Sequence, residues 1–466
     1  MELPPIKVFN TLSGQKEDFR PRNPPYVGMY VCGITPYATS HFGHGMSAVV
    51  FDTIRRYLDF RGYQVRYVQN FTDIDDRLIA RSNELGIPMR DLAERHIREY
   101  FRAIQALNIL PAYVYPRATG EIDKIVELIQ GLIASGHAYA VDNGDVYFRV
   151  TSDDDYGKLS HRDLDDLVAG ARVEVDERKE NPADFALWKA AKPGEPTWPS
   201  PWGEGRPGWH IECSAMSLRY LGEQIDIHGG GQDLVFPHHE NEIAQSESFT
   251  GKVPFVKYWL HNGFVLFNDT KMSKSLGNVV SLLDVLDAHS PDAVRLFILQ
   301  SHYRGPLNLT DEGFDAAERG VERLRSALGT EPEDGPAGRP TPAVEQARAA
   351  FLAAMDDDFN TPGALAALFD LAREANRQRE AGDAAALAAA RLALRELAGV
   401  LGLRLAPSAS AEGDLAAAPF VDLLLQIRKE LRAAKNFQLA DQIRARLAEL
   451  GVVIEDRPEG TTWRKA

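Results

Sequence analysis

The chain has 466 residues, too many for one core, and the usual domain size predicts about three domains. A formal charge of -15 and a pI near 5.3 exclude a generic binder of nucleic acid or anionic membrane, because the whole-molecule field would repel a polyanion; any nucleic-acid contact must be local. Two cysteines are too few for a secreted disulfide scaffold and point to a reducing, cytoplasmic compartment, and neither a leader at Met1–Asn10 nor a membrane-spanning stretch is expected.

Pro25 to Gly33 reads as a short apolar strand, and Gly45 to Phe60 as a helix stopped by Gly62. Tyr63 to Asn70 is the next strand, and Thr72-Asp73-Ile74-Asp75-Asp76 opens another helix. The order β-α-β-α predicts a parallel sheet, which binds ligands at the carboxyl ends of its strands. Residues from about Ala112 to Gly205 read as an insertion: a helix around Glu121 to Gly136, a hairpin around Tyr139 to Val150, then an acidic, proline-rich passage. The sheet pattern resumes at Trp209 to Met216 and Gln224 to His228, with a helix starting near His238.

Beyond Pro291 the chain reads as mostly helical. Gly329 to Pro342 and Ala406 to Leu415 read as linkers flanking an Ala/Leu/Arg helical block. The last unit ends in a short strand, Val452-Val453-Ile454, and a turn at Gly460-Thr461-Thr462-Trp463. From Arg428 onward, nine Lys/Arg and six Asp/Glu give +3, opposite in sign to the whole.

Two separated motifs read as halves of an ATP site. His41-Phe42-Gly43-His44 falls between the first strand and its helix, where Gly43 and Gly45 let backbone approach phosphate and His41 and His44 can donate to it. Lys271-Met272-Ser273-Lys274-Ser275 can bring Lys271 and Lys274 to the same phosphates. Alone, the pentapeptide reads equally well as a solvated turn; the ordered pair does not. Adenylation needs no strong base, only alignment of a carboxylate with the α-phosphate and neutralisation of the leaving pyrophosphate.

A metal site is the second candidate. His238 and Glu242, spaced i, i+4, share one helix face, and Cys32 and Cys213, each read as ending a strand, reach the same sheet edge. Buried structural cysteines are the bland alternative. A zinc-protease motif is excluded, because His239-Glu240 would need histidine at position 243, which is Ile243.

These motifs, with Tyr30-Val31-Cys32-Gly33-Ile34-Thr35, Gly208 to Met216, Asp226 to Gly231 and Phe236 to Glu242, resemble the cysteinyl-tRNA synthetases, a class I family, over essentially the whole chain. The resemblance implies an α/β fold: a Rossmann-like parallel-sheet catalytic domain with an insertion, a helical bundle and a small C-terminal anticodon-binding unit. Its expected divisions are 1–111 and 206–255 for the catalytic halves, 112–205 for the insertion, 256–328 for the mobile-loop domain, 343–405 for the bundle and 416–466 for the anticodon unit. It implies one Zn²⁺ per chain held by Cys32, Cys213, His238 and Glu242, and Mg²⁺ accompanying ATP. Gly33, Thr72, Trp209 and His228 would surround L-cysteine, and Gly230 and Asp233 would approach the ATP ribose. Arg432, Phe437, Asp441 and Asp456 would read tRNA(Cys), although each also suits a solvated surface.

The implied activity is formation of cysteinyl adenylate and pyrophosphate, then transfer of cysteine to the 3′-terminal ribose of tRNA(Cys), by a cytoplasmic monomer. Phe42 stands where a smaller aliphatic residue is common, and Phe437 where tryptophan often stands. Two rivals remain: a ligase joining cysteinyl adenylate to an aminosugar, which needs no anticodon unit, and a non-catalytic binding module, which would not retain His41, His44, Lys271, Lys274 and all four metal candidates.

Overall fold

The computed structural model describes residues 4–162, 177–267, 270–272, 279–329, 340–406, 409–434, 436–449, 451–457 and 460–465; the Lys271 and Asp456 side chains fall outside the description. Two compact units result, Met1–Leu405 and Ala406–Ala466.

In the first unit, hairpin β1 (Lys7–Asn10) and β2 (Gln15–Asp18) precedes a parallel sheet formed by β3 (Tyr26–Ile34), β4 (Gln64–Phe71), β9 (Ile225–Gly231) and β10 (Val256–Asn262), in the order β10-β9-β3-β4. Its strands are rich in Val, Ile, Tyr and Phe, and the middle of β3 is buried on both faces, as a covered parallel sheet requires. Between β3 and β4 runs α1 (Phe42–Phe60), which starts three residues before the predicted Gly45 and so takes part of the His-x-Gly-His motif into its first turn. Gly62 follows at φ 91°, the left-handed stop that the sequence predicts.

After β4 come α2 (Asp76–Leu85), capped by the Asp75 carboxylate, and α3 (Met89–Ala106). The insertion holds α4 (Ile122–Ala134) and an antiparallel sheet of β5 (Ala138–Ala140), β6 (Val146–Phe148), β7 (Phe185–Ala190) and β8 (Gly205–Pro207). The predicted hairpin is β5–β6, in register Tyr139 to Tyr147.

One expectation fails. Trp209 to Met216 is not a strand but the start of α5 (Trp209–Leu221), so Cys213 lies on a helix rather than at a strand end. Every residue from Ile211 to Leu218 is buried, which removes the one-sided periodicity that marks a helix in a sequence. A kinked turn over Val235–His239 then leads into α6 (Glu240–Thr250).

A small sheet follows, in which β11 (Val265–Phe267) pairs with β12 (Thr270–Lys271) and with β13 (Leu307–Leu309). Helices Pro291–Leu299, Asp311–Leu328, Pro342–Asp356, Thr361–Ala381 and Ala384–Val400 share one apolar core with α1. Thr341 caps the third of these, with proline at its first position, where a missing N–H costs nothing.

In the second unit, helices Ala409–Ala433 and Phe437–Glu449 pack with a hairpin, β14 (Val452–Arg457) and β15 (Gly460–Lys465), around Val421, Leu425, Leu447 and Ile454. Two readings are corrected here. The Ala/Ser-rich linker is helical from Ala409, since alanine propagates a helix once nucleated, and Gly460 to Trp463 is strand rather than turn, paired with Ile454 to Arg457. Of the other predicted linker, 330–339 lie outside the described residues.

Candidate active site and metal centre

A cavity of about 320 Å³ opens at the carboxyl ends of the parallel strands, lined among others by Gly33, His41, Gly43, His44, Trp209, Gly231 and Asp233. One wall is the start of α1. His41 precedes the helix with extended backbone and makes no side-chain cap; Phe42 N–H is taken by Val280 O and His44 N–H by His41 O, and Gly43 between them lines the cavity, where a helix start favours an anion. The His41 and His44 rings stack at 3.7 Å. A Cβ on Gly43 would meet the His41 ring at 3.0 Å and Met272 at 3.8 Å.

That last contact joins the two motifs. Lys271 lies in β12, its backbone opposite Leu266, and Met272 lines the cavity; Lys274 lies outside the described residues. The chain beyond is pinned back on the same turn: Phe42 N–H donates to Val280 O at 2.9 Å and Leu282 N–H to Ser40 O at 2.9 Å. The described residues on either side of 273–278, Met272 before and Val280 and Leu282 after, thus meet the His-x-Gly-His turn.

Deeper lies a buried cluster. Cys32, Cys213, His238 and Glu242 offer ligand atoms all within 4.8 Å of one another. The Cys32 and Cys213 sulfurs are 3.7 Å apart, Cys32 Sγ is 3.5 Å from Glu242 Oε1, and His238 Nε2 is 3.0 Å from the same oxygen. Although His238 belongs to the kinked turn and Glu242 to α6, the i, i+4 spacing still aligns them. Two sulfurs, an imidazole and a carboxylate converging away from water suit a metal ion of zinc's preference. Cys32, His228, His239 and Glu242 form a second, overlapping set; it has one sulfur and is the harder donor set.

The charges are arranged for such an ion. Burial pushes the Cys32 thiol up, as does its hydrogen bond with Cys213. Burial would raise Cys213 too, but the hydrogen bond from Cys32 and the charge of His238 outweigh it and bring it down to about 6. For His238, burial opposes protonation, while Glu242 and Cys213 overcome it and raise the imidazole to about 10. Glu242 is driven to about 2 against burial by His228 and His238.

The remaining predicted residues separate into two groups. Trp209 lines the cavity and stacks on His238 at 4.4 Å, and Gly33 lines it with its N–H donating to Asn70 Oδ1 at 2.8 Å. Thr72, Gly230 and His228 do not line it. Thr72 is buried beside Asn70, Gly230 packs against the His239 ring, and His228 Nε2 lies 2.8 Å from Glu242 Oε2, behind the metal cluster. Sequence reasoning missed three histidines of this layer: His210, whose Nδ1 is 3.0 Å from that of His238, and His239, linked to His261 at 2.8 Å. Their place inside the Gly208–Met216 and Phe236–Glu242 motifs was the available signal for His210 and His239; His261 carried none.

In the C-terminal unit, Arg432 is exposed at the end of its helix, and Phe437 (54% exposed) and Asp441 share one face of the next. Asp456 lies in β14.

Residues 18–319 match the family model of the class I (C) tRNA synthetase catalytic domain, 350–406 the DALR domain, and 416–464 the cysteinyl-tRNA ligase anticodon-binding domain. The chain is 56% identical over 460 residues to a cysteine–tRNA ligase of Dehalococcoides mccartyi, covering 98% of this chain and 99% of that one. It is 55% identical to a cysteine–tRNA ligase of Alkalilimnicola ehrlichii, covering 99% and 100%. Among solved structures, Mycobacterium tuberculosis methionyl-tRNA synthetase in complex with methionyl-adenylate has the same fold, with a TM-score of 0.60 at 18% identity, covering 86% of this chain and 94% of that one. Full-length identity above half, a class I catalytic domain and a matching anticodon-binding domain together place the chain in the cysteine–tRNA ligase family of class I aminoacyl-tRNA synthetases.

Proposed function

We propose that this protein activates L-cysteine with ATP and transfers it to tRNA(Cys), using one Zn²⁺ held by Cys32, Cys213, His238 and Glu242. The observation that carries the reading is the buried tetrad opening beneath a cavity whose upper wall is a phosphate-ready helix start. When bound, zinc supplies a Lewis acid that keeps a substrate sulfur as thiolate, a service it performs poorly for a serine hydroxyl. A pocket built around that one bond rejects serine without an editing site.

With the sulfur at the floor, Trp209 forms the side wall, and Gly33 leaves room for the amino acid's main chain against β3. The carboxylate oxygen attacks the α-phosphorus of ATP, and the bond to pyrophosphate breaks. His41, His44 and the Gly43 N–H at the start of α1 hold the phosphates from one side; Lys271 and Lys274, on ATP that carries Mg²⁺, neutralise the leaving charge from the other. Asp233 and Gly231 approach the ribose, with Gly230 supporting them from behind against the His239 ring. The 2′-hydroxyl of the terminal tRNA ribose then attacks the cysteinyl carbonyl and AMP leaves. Thr72 and His228 act from behind the pocket wall, His228 by holding Glu242.

For tRNA, the domain 416–464 supports anticodon reading by Arg432, Phe437, Asp441 and Asp456. The same domain disfavours the aminosugar-coupling rival, which has no use for it. The divisions 1–111, 112–205, 206–255, 256–328, 343–405 and 416–466 are our assignment of catalytic, insertion, mobile-loop, bundle and anticodon segments. Metal analysis combined with ATP–pyrophosphate exchange tests the reading: stoichiometric zinc and exchange with cysteine are expected. Equal exchange with serine, or none with cysteine, would refute it.

A further inference from the structure

The segment Phe236 to Glu242 gives His238 and Glu242 to the metal tetrad but leaves Glu240 and Asn241 unused, although both are buried, at 1% and 2% exposure. Near the start of α6, a residue two positions before Glu242 projects to the opposite side of the helix, away from the tetrad. There the two Glu240 oxygens accept separately from backbone: Leu159 N–H at 3.2 Å and Ser160 N–H at 2.8 Å. Asn241 Oδ1 accepts from the Tyr156 hydroxyl. Further along α6, Glu247 takes the Lys158 ammonium at 2.5 Å.

Residues 156–160 belong to the insertion, yet they bind the metal-bearing helix along its outer face. The Leu159 side chain is fully buried in the same apolar cluster as Cys213 and Ile243. Packing alone would call for an apolar residue at 240, because burying a carboxylate carries a heavy desolvation cost. A carboxylate that meets two consecutive backbone N–H groups instead fixes the helix in both rotation and height. Glu242 sits less than one turn away, and metal ligands tolerate displacements of only about 0.2 Å.

We infer that residues 156–160 form a positioning strap for the metal centre, with Glu240 and Asn241 as positioning residues that act through His238 and Glu242. The inference rests on the metal reading above. It makes the insertion part of the apparatus that sets thiol selectivity, rather than an appendage to the sheet.

The test compares Zn²⁺ affinity of the full-length parent, Glu240→Gln, Glu240→Asp and Tyr156→Phe by chelator competition, alongside the KM for cysteine and for ATP in pyrophosphate exchange. Glu240→Gln replaces one acceptor with a donor facing an N–H and should weaken zinc by about 10-fold, the lower end of the effect of removing a partner bonded directly to a ligand, because Glu240 reaches the ligands only through the helix. Glu240→Asp keeps both acceptors and should fall between Glu240→Gln and the parent. Tyr156→Phe, which removes a single hydroxyl and spares the fold, should weaken zinc several-fold. In each variant the cysteine KM should rise while the ATP KM stays within twofold. Zinc affinity within twofold of the parent in both Glu240→Gln and Tyr156→Phe would overturn the strap, as would equal rises in both KM values. A parent that binds no zinc refutes the metal reading itself, and the strap with it.

Discussion

At the scale of single residues, the site depends on groups that permit no substitute. Gly33 lies one residue from the end of β3 at the cavity, and a Cβ there would lie 1.6 Å from Asn70 O, a backbone atom of the neighbouring strand that cannot yield. Gly33→Ala should therefore part β3 from β4 at the site and abolish cysteine-dependent exchange, with circular dichroism showing whether the sheet persists; an active Gly33→Ala enzyme would contradict the close approach of these two strands. The tetrad makes a second residue-level prediction. Without metal, Cys32 is held above its usual pKa and His238 is raised to about 10, so both carry protons at neutral pH, whereas Cys213, at about 6, has largely lost its own. Zinc uptake between pH 7 and 8 should therefore release about two protons per ion, and apparent affinity should climb with pH. Dye-monitored release in weak buffer measures it, and a pH-independent affinity would refute the charge assignment. These residues were legible because their chemistry is rare: two cysteines in 466 residues leave few alternatives. His261 was not, since one histidine in a strand has no pattern until the fold brings His239 to 2.8 Å.

At the scale of elements, the sequence was readable where burial is one-sided and misread where it is not. The α1 and α4 boundaries fell close to expectation because apolar residues recur on one face and Gly62 and Gly136 mark the stops. In α5, by contrast, Ile211 and Cys213 alternate with His210 and Glu212 as a strand would, and complete burial hides the helical period. The strap could not be read either, because it depends on contacts between positions 80 residues apart. The segment leading into the strap is pH-sensitive. Burial and the adjacent Asp155 carboxyl push Asp153 up to about 7. A folded carboxyl that holds its proton above the unfolded value near 3.8 contributes stability below that value, and this contribution is lost as pH rises through about 7. Denaturant unfolding at pH 4 to 8 should show that decline in the parent and a shallower one in Asp153→Asn. Identical slopes would show that Asp153 titrates normally.

At the scale of the whole molecule, two independent cores divide the work. Within Met1–Leu405, the fully buried Arg295 donates to Leu107 O at 2.9 Å and Leu401 O at 2.5 Å and pairs with Asp52 of α1, tying the helix that starts at the His-x-Gly-His turn to the end of the bundle. Arg295→Met would leave Asp52 with Arg56 as its remaining cation. It should lose about 3 kcal/mol, the lower end for breaking a buried pair, because that cation persists. Equilibrium urea unfolding reads this directly, and a loss below about 1 kcal/mol would mean that the pair is surplus to the fold. Residues 406–466 have their own core at Val421, Leu425, Leu447 and Ile454, with the Trp463 indole donating to Asp422 at 2.9 Å. Among the described residues, neither the tetrad nor the cavity lining includes one from that unit. Ending the chain at Leu405 should therefore leave cysteine-dependent exchange within about twofold of the parent, while charging of tRNA(Cys) falls by about 100-fold or more through lost anticodon contacts and lost local positive charge. Salt separates those two losses: raising ionic strength should weaken charging by the parent more steeply than by the shortened chain, since fewer phosphate contacts release fewer counterions. Undiminished charging would remove the anticodon role from 416–464, whereas loss of exchange would show that the catalytic unit needs the C-terminal one to fold.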